Sequence, residues 1–204
     1  MTLTAFAINC SLKPTAAGEA SSTQQLIDEV LDALADHGVD RGGVVRMADL
    51  DVKPGVTSDE GDGDEWPAVR QQVLDADILV LGTPIWMGHP SSFAARALER
   101  LDAFLAETDD DGRMVSYDRV ALVAVVGNED GAHHVAAELF QGLNDVGFTV
   151  PANGMTYWVG EAMGALDYKD RPHRSEKTDA ATKAAATNAA HLARLLRSDP
   201  YPAS

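Results

Sequence analysis

The stretch Asn9–Gln24, NCSLKPTAAGEASSTQ, decides the fold. Before it runs Leu3-Thr4-Ala5-Phe6-Ala7-Ile8, a short apolar run with the length and bounds of a buried strand. After it, Leu26, Ile27, Val30, Leu31 and Leu34 recur at helical spacing. The stretch is therefore a strand-to-helix turn, and Ser21-Ser22-Thr23 stands where the helix begins. Hydroxyls at such a place serve as plain N-caps, each worth about 1 kcal/mol to the fold. The same place carries unpaired backbone N–H groups and the positive end of the helix dipole, which together make a seat for a phosphate. Ser11 opens the loop, and Lys13 adds a mobile positive charge.

Working outward, the same alternation recurs. His37-Gly38 stops the first helix, and Gly43–Ala48 reads as a second strand. The polar passage Asp49–Glu65 lacks the spaced ligands and closing Glu of an EF-hand and is expected to be a solvated loop. Trp66–Leu74 is a short helix with Pro67 suited to its first turn. Asp77–Gly82 is a third strand, and Thr83-Pro84-Ile85-Trp86-Met87-Gly88-His89-Pro90 is the loop after it. A helix from about Ser91 places Phe93, Ala97, Leu101 and Phe104 on one face. Arg119–Val126 is a fourth strand, Gly127-Asn128-Glu129-Asp130-Gly131 the next loop, and Val135, Leu139 and Leu143 mark the helix that follows. Phe148–Val150 is expected to be the fifth strand, closed by Pro151. Residues 153–175 read as an irregular, aromatic segment of functional character, and about 178–197 as a C-terminal Ala-rich helix.

Composition limits the function classes. The 204 residues are 45% hydrophobic, enough for one sizeable core, and are expected to form a single domain over 1–204. No apolar run reaches membrane-span length and no signal-like segment is found, so a soluble, cytoplasmic protein is expected. Cys10 is the only cysteine, which excludes intrachain disulfides and multi-cysteine metal sites. The formal net charge of −16 leaves no basic patch for nucleic acid and suits a salt-adapted, halophilic habitat, where screening relieves self-repulsion. His133 and His134 are adjacent on a helix and face apart, with no third ligand at metal spacing, so no metal site is expected.

The order βαβαβαβαβα with helix-length spacings argues a parallel sheet wound with helices on both faces. The expected architecture is thus a three-layer, doubly wound α/β fold with five strands in the flavodoxin-like order 2-1-3-4-5. In that order the first, third and fourth strands are neighbours, and their carboxyl ends flank the crevice in which such sheets bind ligands. Three loops meet there. The first would seat a phosphate on Ser11, Lys13, Ser21, Ser22, Thr23 and Gln24. Thr83, Pro84, Ile85, Trp86, Met87 and Gly88 would offer apolar surface to a flat ring, and Gly127, Asn128, Glu129, Asp130 and Gly131 would offer backbone N–H groups to its polar edge.

Over nearly its whole length the chain resembles the flavodoxin-like NADPH-dependent FMN reductases and NAD(P)H:quinone oxidoreductases. Ser11, Lys13 and Ser21–Gln24 resemble their GSxRxxSxT phosphate loop, and Thr83–Gly88 their TPxYWG loop. Gly127–Gly131 matches the third flavin loop, and Tyr157–Ala162 resembles a segment of some of these reductases. Two departures stand out: Asn9-Cys10 replaces the small Gly before Ser11, and the insert Pro14–Ala20 is long. The resemblance implies bound FMN, NAD(P)H as co-substrate, hydride transfer to the flavin, a small-molecule electron acceptor and a homodimer. It also implies that Tyr157 or Trp158 covers the exposed face of the ring. A flavodoxin-type electron carrier is the alternative, though its usual chain is shorter. A tyrosine phosphatase of similar topology needs Cys-x5-Arg, and Ala16 stands where the Arg would be. A dinucleotide-binding dehydrogenase lacks its GxGxxG after the first strand.

Overall fold

The computed structural model describes residues 2–202. Its elements are β1 (Leu3–Asn9), α1 (Ser22–Ala35), β2 (Val39–Arg46), α2 (Trp66–Asp75), β3 (Ile78–Trp86) and a two-residue strand β4 (His89–Pro90). Then come α3 (Ser92–Leu101), β5 (Val120–Gly127), α4 (Ala132–Asp145), β6 (Met155–Val159) and α5 (Glu176–Ser198). Five strands pair in parallel in the order β2-β1-β3-β5-β6, and β4 folds back antiparallel on β3. With that hairpin strand set aside, the order is the expected 2-1-3-4-5.

Strands buried on both faces explain why β1, β3 and β5 read as continuous apolar runs. On one face α1 and α5 pack Leu26, Ile27, Leu31, Ala186 and Ala190 against Ala7, Val80 and Leu122. On the other, α2, α3 and α4 pack Trp66, Leu101 and Leu139 against Ile8, Leu81 and Val123. No helix among the described residues is long and apolar enough to cross a membrane.

Three expectations need correction. The fifth strand is Met155–Val159, inside the segment expected to be irregular. Phe148–Val150 makes only an isolated bridge, Thr149 to Val120, on the same edge. Pro151 has no N–H to continue the ladder, and a tight turn follows in which the Gly154 N–H donates to the Pro151 carbonyl at 3.0 Å. Pairing with β5 resumes at Met155 opposite Val123.

The second concerns Thr83–Trp86, which continue β3 instead of starting a loop. Pairing of β3 with β1 ends at Gly82, so one edge of the strand is open where Pro84 sits and its missing N–H costs little. The chain then reverses through Met87 and Gly88, both at positive φ (54° and 78°), as a two-residue type I′ hairpin requires.

The third concerns the passage 49–65, which is more than solvated loop. Arg100 of α3 is fully buried beneath it and donates to the carbonyls of Thr57 (3.1 Å) and Lys53 (2.9 Å) and to Asp64 (2.8 Å). The Asp64 side chain is equally buried.

Candidate active site

The loop after β1 is held from within. Buried Asn9 donates from Nδ2 to Gln24 Oε1 (2.9 Å) and accepts the Ser11 N–H on Oδ1 (2.9 Å). Ser11 Oγ accepts the Lys13 N–H at 3.2 Å. Asn9 therefore does work that the small Gly of the family pattern could not, tying strand end to helix start across the long insert. Ser21 caps α1, its Oγ accepting the Gln24 N–H at 3.2 Å. Helix geometry leaves the N–H groups of Ser22 and Thr23 without intrahelical partners, directed outward from the helix start. Ser22 Oγ accepts the Lys169 N–H at 3.3 Å, a tie across 147 residues that no local pattern announces. Lys13 points elsewhere: its Nζ sits 3.0 Å from Glu19 in an exposed pair. A cavity of about 460 Å³ opens beside this helix start, lined by Ser21 and Gln24, by the cations of Arg46, Lys169 and Arg174, and by the carboxylates of Asp28, Glu29 and Asp32.

Cys10 is fully buried, and burial pushes its thiol far above the usual range. Its backbone bridges the loops, the N–H donating to the Gly82 carbonyl (2.8 Å) and the carbonyl accepting from Ser91 Oγ (2.6 Å). We expect a maleimide to leave the folded protein unlabelled and to label one thiol after denaturation, as read by intact mass. Rapid labelling of the native state would contradict this placement.

The second loop is the β3–β4 hairpin. Thr83 is buried, and its hydroxyl accepts the Ser91 N–H at 3.1 Å while donating to the Pro84 carbonyl at 3.0 Å. Ile85 is also buried, packed against Gly127 of the third loop. At the tip, Trp86 and Met87 stand 53% and 88% exposed, an apolar pair facing solvent at the carboxyl end of a central strand.

The third loop is locked to the second. Glu129 Oε1 accepts the Met87 N–H at 2.8 Å, and Asp130 Oδ1 accepts the Gly131 N–H at 2.7 Å. Gly131 has φ 119°, and a Cβ there would lie 2.9 Å from Gly88 Cα. Asn128 Nδ2 reaches the Gly164 carbonyl and Asp167 Oδ1, each at 3.2 Å, anchoring the chain beyond β6.

Within the chain, the two aromatic rings expected over the flavin are taken up by core packing instead. Tyr157 and Trp158 alternate across β6: Tyr157 packs against the α2–α4 core and His133, Trp158 against the α1–α5 core and Tyr168. Tyr168 is buried and hydrogen-bonds Glu29 of α1, and burial together with that bond pushes its phenol far up. Arg171 stacks over both Trp158 and Tyr168. The aromatic run is a clamp between the last strand and α1, the helix that closes the first loop.

The three expected loops therefore meet at the carboxyl ends of β1, β3 and β5, which are adjacent. FMN matches what is there: outward N–H groups at a capped helix start for a phosphate, and the exposed Trp86–Met87 surface for a planar ring. A backbone loop whose glycine leaves no room for a side chain completes the crevice.

The family model for NADPH-dependent FMN reductases matches residues 3–164. The chain belongs to that family. Its members bind FMN and take electrons from NADPH. Among curated relatives, it is 33% identical over 211 residues to the 8-demethyl-8-aminoriboflavin-5'-phosphate synthase of Streptomyces davaonensis, spanning 98% of this chain and 81% of that protein. It is 36% identical over 202 residues to a protein named divalent metal cation transporter MntH from Mycobacterium bovis; the match spans 96% of this chain but 29% of that longer protein. The crystal structure of RosB with bound 8-demethyl-8-formylriboflavin-5'-phosphate has a TM-score of 0.85 at 33% identity, covering 98% of this chain and 82% of RosB. An apo NADH:FMN oxidoreductase shares the fold at 19% identity, with a TM-score of 0.67 over 98% and 92% of the two chains.

Proposed function

We propose that this reductase-family protein seats FMN in the crevice between the β1, β3 and β5 loops, takes electrons from NAD(P)H and passes them to a small-molecule acceptor such as a free flavin or a quinone. The observation that carries this reading is the convergence of the three loops on one edge, with the apolar hairpin tip exposed above them. Bound FMN supplies the centre that accepts hydride from the nicotinamide and returns electrons. The chain's own residues bind and orient. The hydroxyls of Ser11, Ser21 and Ser22 and the N–H groups of Ser22 and Thr23 serve the phosphate, and α1's dipole favours its charge. Lys13, whose partner in the structure is the exposed Glu19, is the charge partner assigned to the phosphate. Trp86 and Met87 pack the ring, and the backbone of 127–131 addresses its polar edge. The exposed Met87 and Met163 beside this crevice support a homodimer that covers it.

A second reading is favoured by the 33% identity to the aminoriboflavin-phosphate synthase: the flavin phosphate is the molecule transformed, not a resident carrier. One experiment addresses both. FMN-loaded protein is mixed anaerobically with NADPH, its visible spectrum followed, and the flavin then released for mass analysis. We expect bleaching, recovery of colour on adding a quinone, and unchanged FMN mass. Flavin that stays oxidised with NADPH would favour the electron-carrier alternative, and an altered flavin mass the second reading.

A further inference from the structure

The structure brings together three side chains from two elements, none of them among the residues assigned to FMN. His134 and Glu138 are one helical turn apart on α4, so both project from the same face. His89 comes from β4, held against the start of α4 by the close approach of Gly88 to Gly131. Glu138 Oε1 gathers both rings, 2.9 Å from His89 Nδ1 and 2.7 Å from His134 Nε2, and the two imidazoles stand edge to face at 5.0 Å.

We propose that His89, His134 and Glu138 form a binding site for a divalent transition cation of the zinc class. The donor set is two imidazole nitrogens and one carboxylate, a combination that suits zinc and its neighbours over magnesium or calcium. One ligand atom from each residue lies within 4.8 Å of the other two. Ligands at about 2.0–2.2 Å around a tetrahedral ion stand roughly 3.3 Å apart, so the two separations from Glu138 Oε1, 2.9 Å and 2.7 Å, need to open by about half an ångström. All three side chains are exposed enough to make that adjustment, with 63%, 57% and 38% relative exposure for His89, His134 and Glu138. Three protein ligands leave at least one coordination position open to water or another ligand. A net charge of −16 also favours cations near the surface. Because His89 follows the hairpin turn directly, an ion here would fasten the Trp86–Met87 tip to α4. The site does not depend on the flavin reading, since its three ligands lie outside the residues assigned to FMN.

The alternative is that the carboxylate merely accepts two imidazole hydrogen bonds. Purified full-length protein, stripped with a chelator and dialysed into a non-coordinating buffer with molar NaCl, is titrated with zinc chloride against a chromogenic competitor. Co2+ substitution then reports the ligand field. We expect one tight equivalent with a Co2+ visible band, and a rise in thermal midpoint on adding zinc. In Glu138→Gln and His134→Ala the affinity should fall by roughly tenfold or more and the band should be lost. Asp110→Asn, a remote acidic control, should leave both unchanged. His89→Ala provides a second route should a helix substitution perturb folding, as judged by circular dichroism. Absence of a tight equivalent in the wild type overturns the proposal. So does zinc affinity that is the same in all the variants, which would assign binding to the general acidic surface.

Discussion

Replacing Arg100 by Met is expected to lower the free energy of unfolding by about 3–5 kcal/mol, the range for removing one partner of a buried ion pair. The guanidinium has no water to fall back on: it donates to Thr57, Lys53 and Asp64 from a fully buried position, with the ring of Trp66 alongside at 5.8 Å. Met fills much of the volume but leaves a buried carboxylate unpaired and two carbonyls without those donors, the costly side of the hydrogen-bond asymmetry. Urea unfolding in molar salt should show a lowered midpoint at unchanged slope. The contrast is Arg41→Met, whose exposed pairs with Asp28 and Asp32 are worth less than about 1 kcal/mol. Equal losses in the two variants would refute the buried-pair account.

Asp64 gives the same cluster a pH signature. Burial alone would raise its carboxyl, but the Glu60 N–H, the Arg100 guanidinium and the Trp66 and Lys53 N–H groups outweigh it and hold the group at about 2. A folded-state value below the ordinary 3.8 adds stability that is complete above about pH 4 and lost as pH falls through about 2. The difference corresponds to about 2 kcal/mol. In Arg100→Met a favourable partner of the ionised form is gone, so acid unfolding should begin at higher pH. An acid limb unchanged by the substitution would assign it to other carboxylates.

These features differ in how far they can be read from sequence, and the reason is range. The β1–α1 turn is legible because a local apolar run, a hydroxyl cluster and a helical period are contiguous, and Ser21 caps where it was expected to. The three-loop crevice follows from strand order, itself inferred from element spacing. By contrast, Phe148–Val150 has strand composition, but Pro151 limits it to one bridge; the real edge strand holds Tyr157 and Trp158, whose aromatic character looked like a lid. The Met87–Gly88 turn lacks the Asn-Gly signal that usually marks a hairpin. Arg100 reads as a surface residue of an amphipathic helix, because its partners are backbone carbonyls that leave no mark on composition. His134 and Glu138 carry an i, i+4 signal that was readable; only the hairpin brings His89 to them.

Gly131→Ala tests whether the hairpin and the third loop act as one unit. We expect FMN affinity to fall by tenfold or more, about 1.4 kcal/mol. The backbone at Gly131 has φ 119°, outside what an L side chain adopts without strain of about 1–3 kcal/mol. The added methyl carbon would also stand 2.9 Å from Gly88 Cα and 3.0 Å from the Gly88 carbonyl oxygen, both backbone atoms that cannot rotate away. The cheaper relaxation is outward movement of the hairpin, which lacks a second paired edge beyond β3. That movement breaks the Glu129–Met87 bond and carries Trp86 and Met87 away from the crevice. Ring binding should therefore suffer more than global stability, since the hairpin tip contributes little buried area. Gly112→Ala is the control: its φ of 79° brings similar strain, yet a Cβ there meets nothing within 4 Å. Fluorescence titration with FMN should separate the two variants while their thermal midpoints stay close. Should both bind FMN as the wild type does, the close fit of Gly131 against Gly88 has no part in holding the ring, and the hairpin and third loop do not act as one unit in binding.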